Sequence, residues 1–229
     1  MNKYLSPATN PSQSEAPGKT PAHQHVYERL RAMILFGDLA PGQAVTIQGL
    51  TAELGAGMTP VREALRRLIA EGALTHQGNR RVSVPMLSVN CVDELGFMRI
   101  TLEPELTRRA ATRMTPDRLA MLHTIDTDLN QAIGKGDVGG YLTHNYRFHA
   151  AVYDAAEAPI MAATVDRLWL RFGPSLRVVC GRFGTFNLPD KHADLLAALA
   201  TGNIDTAAQA MAEDVEQGTR QVRAALQDG

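Results

Sequence analysis

Apolar residues recur at helical spacing along most of this chain. From His25 onward, Val26, Leu30, Met33 and Ile34 mark one face of a helix that stops at Phe36-Gly37-Asp38, ahead of a Pro41-Gly42 turn. Ile47, Leu50 and Leu54 predict a short second helix ending at Gly55. After Gly55-Ala56-Gly57 a third helix is expected, with Thr59 as its cap and Pro60 at its first position, where a missing N–H costs nothing. Glu63 then lies near the positive end of the helix dipole. Val61, Ala64, Leu65 and Leu68 form its buried stripe, which turns Arg62, Arg66 and Arg67 outward or to the edges. Residues 73–76, 77–79 and 80–85 read as strand, turn and strand, a two-stranded hairpin bearing Arg80 and Arg81.

Beyond Pro85 the pattern predicts six amphipathic helices, near 88–113, 116–134, 137–156, 159–180, 190–201 and 203–226. The breaks carry cap or turn chemistry, as in Thr115-Pro116-Asp117 and Gly134-Lys135-Gly136-Asp137. Residues 1–21 hold four prolines among Ser, Asn, Thr and Gly, too little apolar content to offset the entropy of ordering. The expected organisation is a flexible tail (1–21), a winged helix-turn-helix (22–85) and an all-α helical bundle (86–229). Apolar residues at 45% with only 5% aromatics agree with a mostly α fold packed through aliphatic ridges.

Charge changes the picture only when divided. The net charge is -1, yet residues 1–85 carry nine Lys/Arg against six Asp/Glu and residues 86–229 carry fourteen against eighteen. The positive half is the one with the helix-turn-helix, which is the distribution expected of a module meeting DNA. Cys91 and Cys180 are far apart, giving no disulfide framework and no thiolate metal motif. No apolar run reaches the roughly 18 residues of a membrane span, so a cytoplasmic protein without membrane attachment is expected.

A short helix pair followed by a basic hairpin suits duplex DNA, because the second helix fits the major groove and the hairpin reaches neighbouring backbone. Arg is the apt residue, since its planar fork bonds guanine O6 and N7 together. The plainer alternative is a solvated helix in which Arg62, Arg66 and Arg67 pair with Glu63 and Glu71. The run from Thr59 through Leu68, T-P-V-R-E-A-L-R-R-L, with Glu71-Gly72-Ala73-Leu74 in register, resembles the GntR family of bacterial regulators. The likeness is to the FadR-like branch with an FCD-type ligand-binding domain, in its six-helix, VanR-like variant, and it covers about residues 22–226.

The resemblance implies a sequence-specific, homodimeric DNA-binding regulator that recognises double-stranded operator DNA through Gln48, Thr59, Arg62, Arg66, Arg67, Arg80 and Arg81, with Arg62 and Arg66 placed for base contact. Departures from the pattern are Gly57-Met58 in place of Ser-Arg, Gln48 where some members have arginine, and Arg81 where glycine is common. The operator of a relative is therefore not transferable to this chain.

Asn145 and His149 lie four apart on the third predicted bundle helix, with His192 and Asp214 near the fifth and sixth. Imidazole and carboxylate donors from several helices suit Zn, Ni or Mn, although such residues also occur as caps or satisfied core polar groups. The resemblance implies the first reading, because sensor domains of this branch present an Asp or Asn four residues before a His in an F-H segment, then two later His. Phe148-His149 with Asn145 matches the first part, His192 the second, and Asp214 takes the last position. Arg99, four before Glu103, resembles the family's R-x-x-x-E, which implies an anchor for a small carboxylate effector; the plain reading is an i,i+4 ion pair.

Trp169, Leu170 and Phe172 read as core or dimer packing, and His76, His123 and His144 as bystanders. Two alternatives stand beside an effector-controlled regulator. One is a metal-dependent enzyme with an open coordination position, against which stands the lack of a general-base or nucleophile motif. The other is a DNA-binding dimer insensitive to effectors.

Overall fold

Helix α1 spans Ala22–Leu35 and buries Val26, Leu30 and Ile34, the stripe its spacing predicts. The structure, a computed structural model, describes residues 22–77, 81–184 and 191–227. Strand β1 is Ala44–Val45 and α2 is Ile47–Leu54. Thr46 caps α2 through the Gly49 amide, and Gly55 closes it at φ 61°, a left-handed conformation that suits a residue without Cβ.

Helix α3 covers Met58–Ala70 and buries Val61, Ala64, Leu65 and Leu68, each burial of a Val or Leu being worth about 1.5–3 kcal/mol. Its start corrects the expectation for Thr59. The N-cap is Gly57, in extended backbone and without a side-chain cap, so Thr59 stands in the first turn and Pro60 follows it. Proline is tolerated there for the reason expected, because amides of the first turn have no intrahelical acceptor.

Strands β2 (Thr75–Gln77) and β3 (Arg81–Ser83) pair antiparallel, with His76 opposite Val82. The expected two-stranded hairpin is in fact part of a three-stranded sheet in the order β1-β3-β2, because Ala44 and Val45 pair with Ser83 and Val82. Two residues are too few to show alternation, so β1 leaves no pattern to read. Arg80 and the hairpin tip lie outside the described residues.

The remaining helices are α4 (Val89–Ala111), α5 (Pro116–Lys135), α6 (Val138–Ala155), α7 (Pro159–Phe183), α8 (Lys191–Ala200) and α9 (Ile204–Gln227). Ser88, Thr115 and Asp137 cap α4, α5 and α6 by accepting from amides three residues on. Helix α4 runs along α9, α5 packs on α6, α8 packs on α9, and α7 touches α1, α4, α6 and α9. Helix α1 is thus shared, packing on α3 from one side and on α7 from the other. No helix among the described residues is long and apolar enough to cross a membrane.

Candidate functional site

Two constellations stand out, one at each end of the molecule. At the first, α2, α3 and the sheet enclose an open groove of about 660 Å³ whose walls include Gln48, Arg62, Arg66, His76 and Arg81. Arg62 and Arg66 are exposed and one helical turn apart, so both guanidiniums lie on the same face of α3. Arg81 reaches this face from β3 and Gln48 from the start of α2.

Arg67 is directed elsewhere. Its guanidinium sits 3.6 Å over the Tyr27 ring, donates to Glu71 Oε1 at 3.1 Å and to Gln24 Oε1 at 3.2 Å. The Tyr27 hydroxyl donates to the same carboxylate at 2.9 Å, and burial together with Glu71 pushes its pKa up to about 12. This cluster fastens α1 to α3. Thr59 is exposed in the first turn of α3.

The second constellation lies inside the helical bundle. His149 on α6, His192 on α8 and Asp214 on α9 offer ligand atoms that all fall within 4.8 Å of one another. His149 is fully buried and His192 is 3% exposed. His149 Nε2 is 3.1 Å from Asp214 Oδ2, yet it is shut off from solvent and not aligned for a hydrogen bond. Two donors each about 2.1 Å from one divalent ion, at angles between right and tetrahedral, stand about 3.0–3.4 Å apart, so the His149–Asp214 pair has the spacing of two ligands of one ion. Asn145 lines a cavity of about 40 Å³ together with Arg99, Trp169, Phe172 and Asp214.

The other nitrogen of His149 is engaged. Nδ1 is 3.1 Å from the Tyr153 hydroxyl, which donates to Glu103 Oε2 at 2.6 Å and accepts from Trp169 Nε1 at 3.2 Å. Because the tyrosine proton is committed to Glu103, Nδ1 carries the hydrogen toward the tyrosine oxygen, and Nε2 is the lone-pair nitrogen of the neutral ring. Burial disfavours the charged imidazole, but Asp214 and Glu103 outweigh it and raise the His149 pKa to about 9. Asp214 moves the other way: burial is outweighed by His149, and its pKa falls to about 2.

Arg99 and Glu103 form a pair deep in the fold, 2% and 0% exposed, with Nε donating to Oε1 at 2.5 Å. The Arg99 guanidinium lies 4.2 Å from the Trp169 ring centroid and 4.6 Å from that of Phe172. Desolvation opposes its charge, and Glu103 outweighs that cost, so it stays protonated. Sequence spacing found this pair but not its burial, and it missed Tyr153 and the use of Trp169 as a cavity wall. Helical periodicity marks such residues as core, and only the tertiary arrangement shows which polar atoms they touch.

Residues 22–84 match the family of bacterial regulatory proteins called gntR, and residues 94–217 match the FCD domain. The chain is 31% identical to the HTH-type transcriptional regulator McbR of Escherichia coli K12 over 191 residues, spanning 82% of this chain and 86% of that protein. It is 24% identical to the HTH-type transcriptional repressor RspR of the same organism, over 89% of this chain and 91% of that one. A solved structure of E. coli McbR/YncC superposes with a TM-score of 0.85 at 28% identity, covering 90% of this chain and 99% of that one. A GntR-type structure from Rhodococcus sp. RHA1, at 22% identity and a TM-score of 0.75 over 90% of this chain and 99% of that one, shows the same fold.

Proposed function

The chain belongs to the GntR family of bacterial transcriptional regulators and carries an FCD domain, and from that premise we propose a homodimeric, cytoplasmic repressor whose hold on a palindromic operator is set by a small carboxylate bound beside a divalent metal. The proteins it resembles are regulators and not enzymes, so the enzyme alternative falls. Repression is the direction suggested by the name of its relative RspR. Residues 22–85 form the DNA-binding unit of this reading, and residues 86–229 the sensing and dimerising one.

One observation carries the reading of DNA contact: Arg62 and Arg66 stand on one face of α3, in a groove whose other walls hold Gln48 and Arg81. A helix of about 20 Å with two forked donors on its exposed face fits the major groove, and Arg81 is placed for flanking phosphate. Arg67, tied to Tyr27 and Glu71, is assigned to holding the helix in place.

For sensing, His149, His192 and Asp214 would hold the metal, with Asn145 at the cavity edge as the fourth donor. A divalent ion there leaves the local charge positive and offers a coordination position to a carboxylate oxygen. Arg99 faces the same cavity with donors beyond the two that Glu103 uses, which suits the second oxygen or a second carboxylate of the ligand. The cavity is small, about 40 Å³, so the acid it accepts is compact or opens it further.

Control of DNA affinity is supported by an unbroken series of contacts. Trp169, beneath Arg99, meets Tyr146 edge-on at 5.8 Å; Tyr146 meets Phe36 at 6.0 Å, and both Tyr146 and Asp166 bond to Arg31 of α1. Helix α1 in turn grips α3 through Tyr27 and Arg67.

Selection of bound sequences from a random duplex library tests the reading. The parent should enrich one palindrome and Arg62→Ala should relax it, whereas a parent that enriches nothing contradicts it. Thermal melts of the zinc-loaded protein with a panel of small mono-, di- and tricarboxylates test the sensing half. At least one acid should raise the melting temperature of the parent and not of Arg99→Ala; no shift with any acid contradicts effector control.

A further inference from the structure

On the reading of a carboxylate-binding cavity given above, we propose that Gly218 of α9 sets the size of the ligand. Its missing side chain leaves the room into which the body of an organic acid, the chain or ring beyond the carboxylate, extends. Gly218 lies well inside α9, with turns of the same helix on either side. A glycine there is unfavourable, because it loses more backbone freedom on folding than any other residue and exposes the helix backbone.

Two other mid-helix glycines are explained by packing. A Cβ at Gly96 of α4 would stand 2.6 Å from Thr219 Cγ2, and one at Gly173 of α7 would stand 2.3 Å from the Leu35 carbonyl oxygen, so both let helices approach closely. Gly134 and Gly181 have open surroundings, but they fall in the last turns of α5 and α7, where helices fray. Gly218 belongs to neither group. A Cβ built on it meets no atom of the described residues within 4 Å, and its backbone is outside the left-handed region that favours glycine.

What Gly218 borders is the cavity. It stands in the wall with Asp214 four residues before it and Gln221 three after, the spacing that puts all three on one face of α9. A side chain at this position is therefore added on the cavity side, next to Asp214, while Arg99, Trp169 and Phe172 line the same space from α4 and α7. In a cavity of about 40 Å³ the volume that a side chain takes decides what fits. A glycine that weakens its helix, is not needed for packing and faces a binding cavity is the pattern of a site kept open for a ligand.

The full chain in the presence of Zn²⁺ is compared as parent, Gly218→Ala and Gly218→Leu. Thermal melts without acid test the premise. Gly218→Ala should melt about 2–4 °C higher, because alanine suits a helix interior and no described residue resists its Cβ. Calorimetric titration with acetate, butyrate, succinate and benzoate tests the site. The parent should bind at least one of the three larger acids, and Gly218→Leu should bind that acid about 10-fold or more weakly. Acetate, which has almost no body to place, should show no such difference. Zn²⁺ affinity is read alongside by competition with a chromophoric chelator, which separates loss of the acid from loss of the metal. If Gly218→Leu fails to fold, Gly218→Met, with a more adaptable side chain, carries the same expectation.

Parental affinity for the larger acid in Gly218→Leu overturns the proposal. So does a Gly218→Ala that melts below the parent, which would give the glycine a structural role, or an equal fall in Zn²⁺ affinity, which would make the effect one on the metal. A parent that binds none of the four acids removes the carboxylate reading and this proposal together, whereas one that binds acetate alone removes this proposal only.

Discussion

In the metal centre proposed above, a proton and a metal ion compete for the same nitrogen of His149. In the metal-free protein its pKa of about 9 exceeds the ordinary 6.5, so the stability it contributes is complete below pH 6.5 and is lost as pH rises through 9. The shift corresponds to at most about 3 kcal/mol. Metal-free melts should therefore fall between pH 6.5 and 10 in the parent and flatten in His149→Gln; parallel curves for the two would contradict the assignment. Metal affinity has the opposite sign, tightening as pH rises toward 9 because each binding event displaces the proton. Arg67 gives a second test at this scale. Arg67→Ala removes a cation–π contact and a half-exposed ion pair, costing about 1 kcal/mol in denaturant unfolding while leaving the selected DNA sequence unchanged. A changed sequence would return Arg67 to the DNA-contacting set.

At the level of elements, α1 is the joint of the molecule. Helix α7 approaches it so closely that a Cβ at Gly173 would lie 2.3 Å from the Leu35 carbonyl oxygen. Gly173→Ala must push the helices apart and should cost about 1–3 kcal/mol in denaturant unfolding; a neutral effect would mean that α1 is not seated as described. Helices were legible in the sequence because long periodic stripes and the Ser88, Thr115 and Asp137 caps announce them. The sheet was legible only in part, since β1 has two residues, and the start of α3 was misplaced because Gly57 caps through backbone geometry and not through a side chain. The candidate centre was legible as a residue set through the F-H segment and helical spacing. Its outer partners were not: Tyr153 follows His149 by one turn of α6, but Glu103 of α4 and Trp169 of α7 reach it only on packing, which is what distinguishes Tyr153 from any other core aromatic.

For the molecule as a whole, the uneven charge and the two matched families describe one arrangement, a basic N-terminal GntR unit joined through α1 to an acidic helical FCD domain. Recognition of a palindrome requires two-fold symmetry, so light scattering should give twice the chain mass of 24.8 kDa; a monomer at micromolar concentration would contradict the dimer. The claim on which everything else depends is sequence-specific DNA binding by the Arg62 and Arg66 face. It is tested most directly by fluorescence anisotropy at fixed salt, titrating the protein against the duplex enriched from the random library and against a scrambled duplex of equal length and composition. A preference of about 10³-fold or more for the enriched duplex, lost in Arg62→Ala, is expected, and equal affinities for the two duplexes would contradict it.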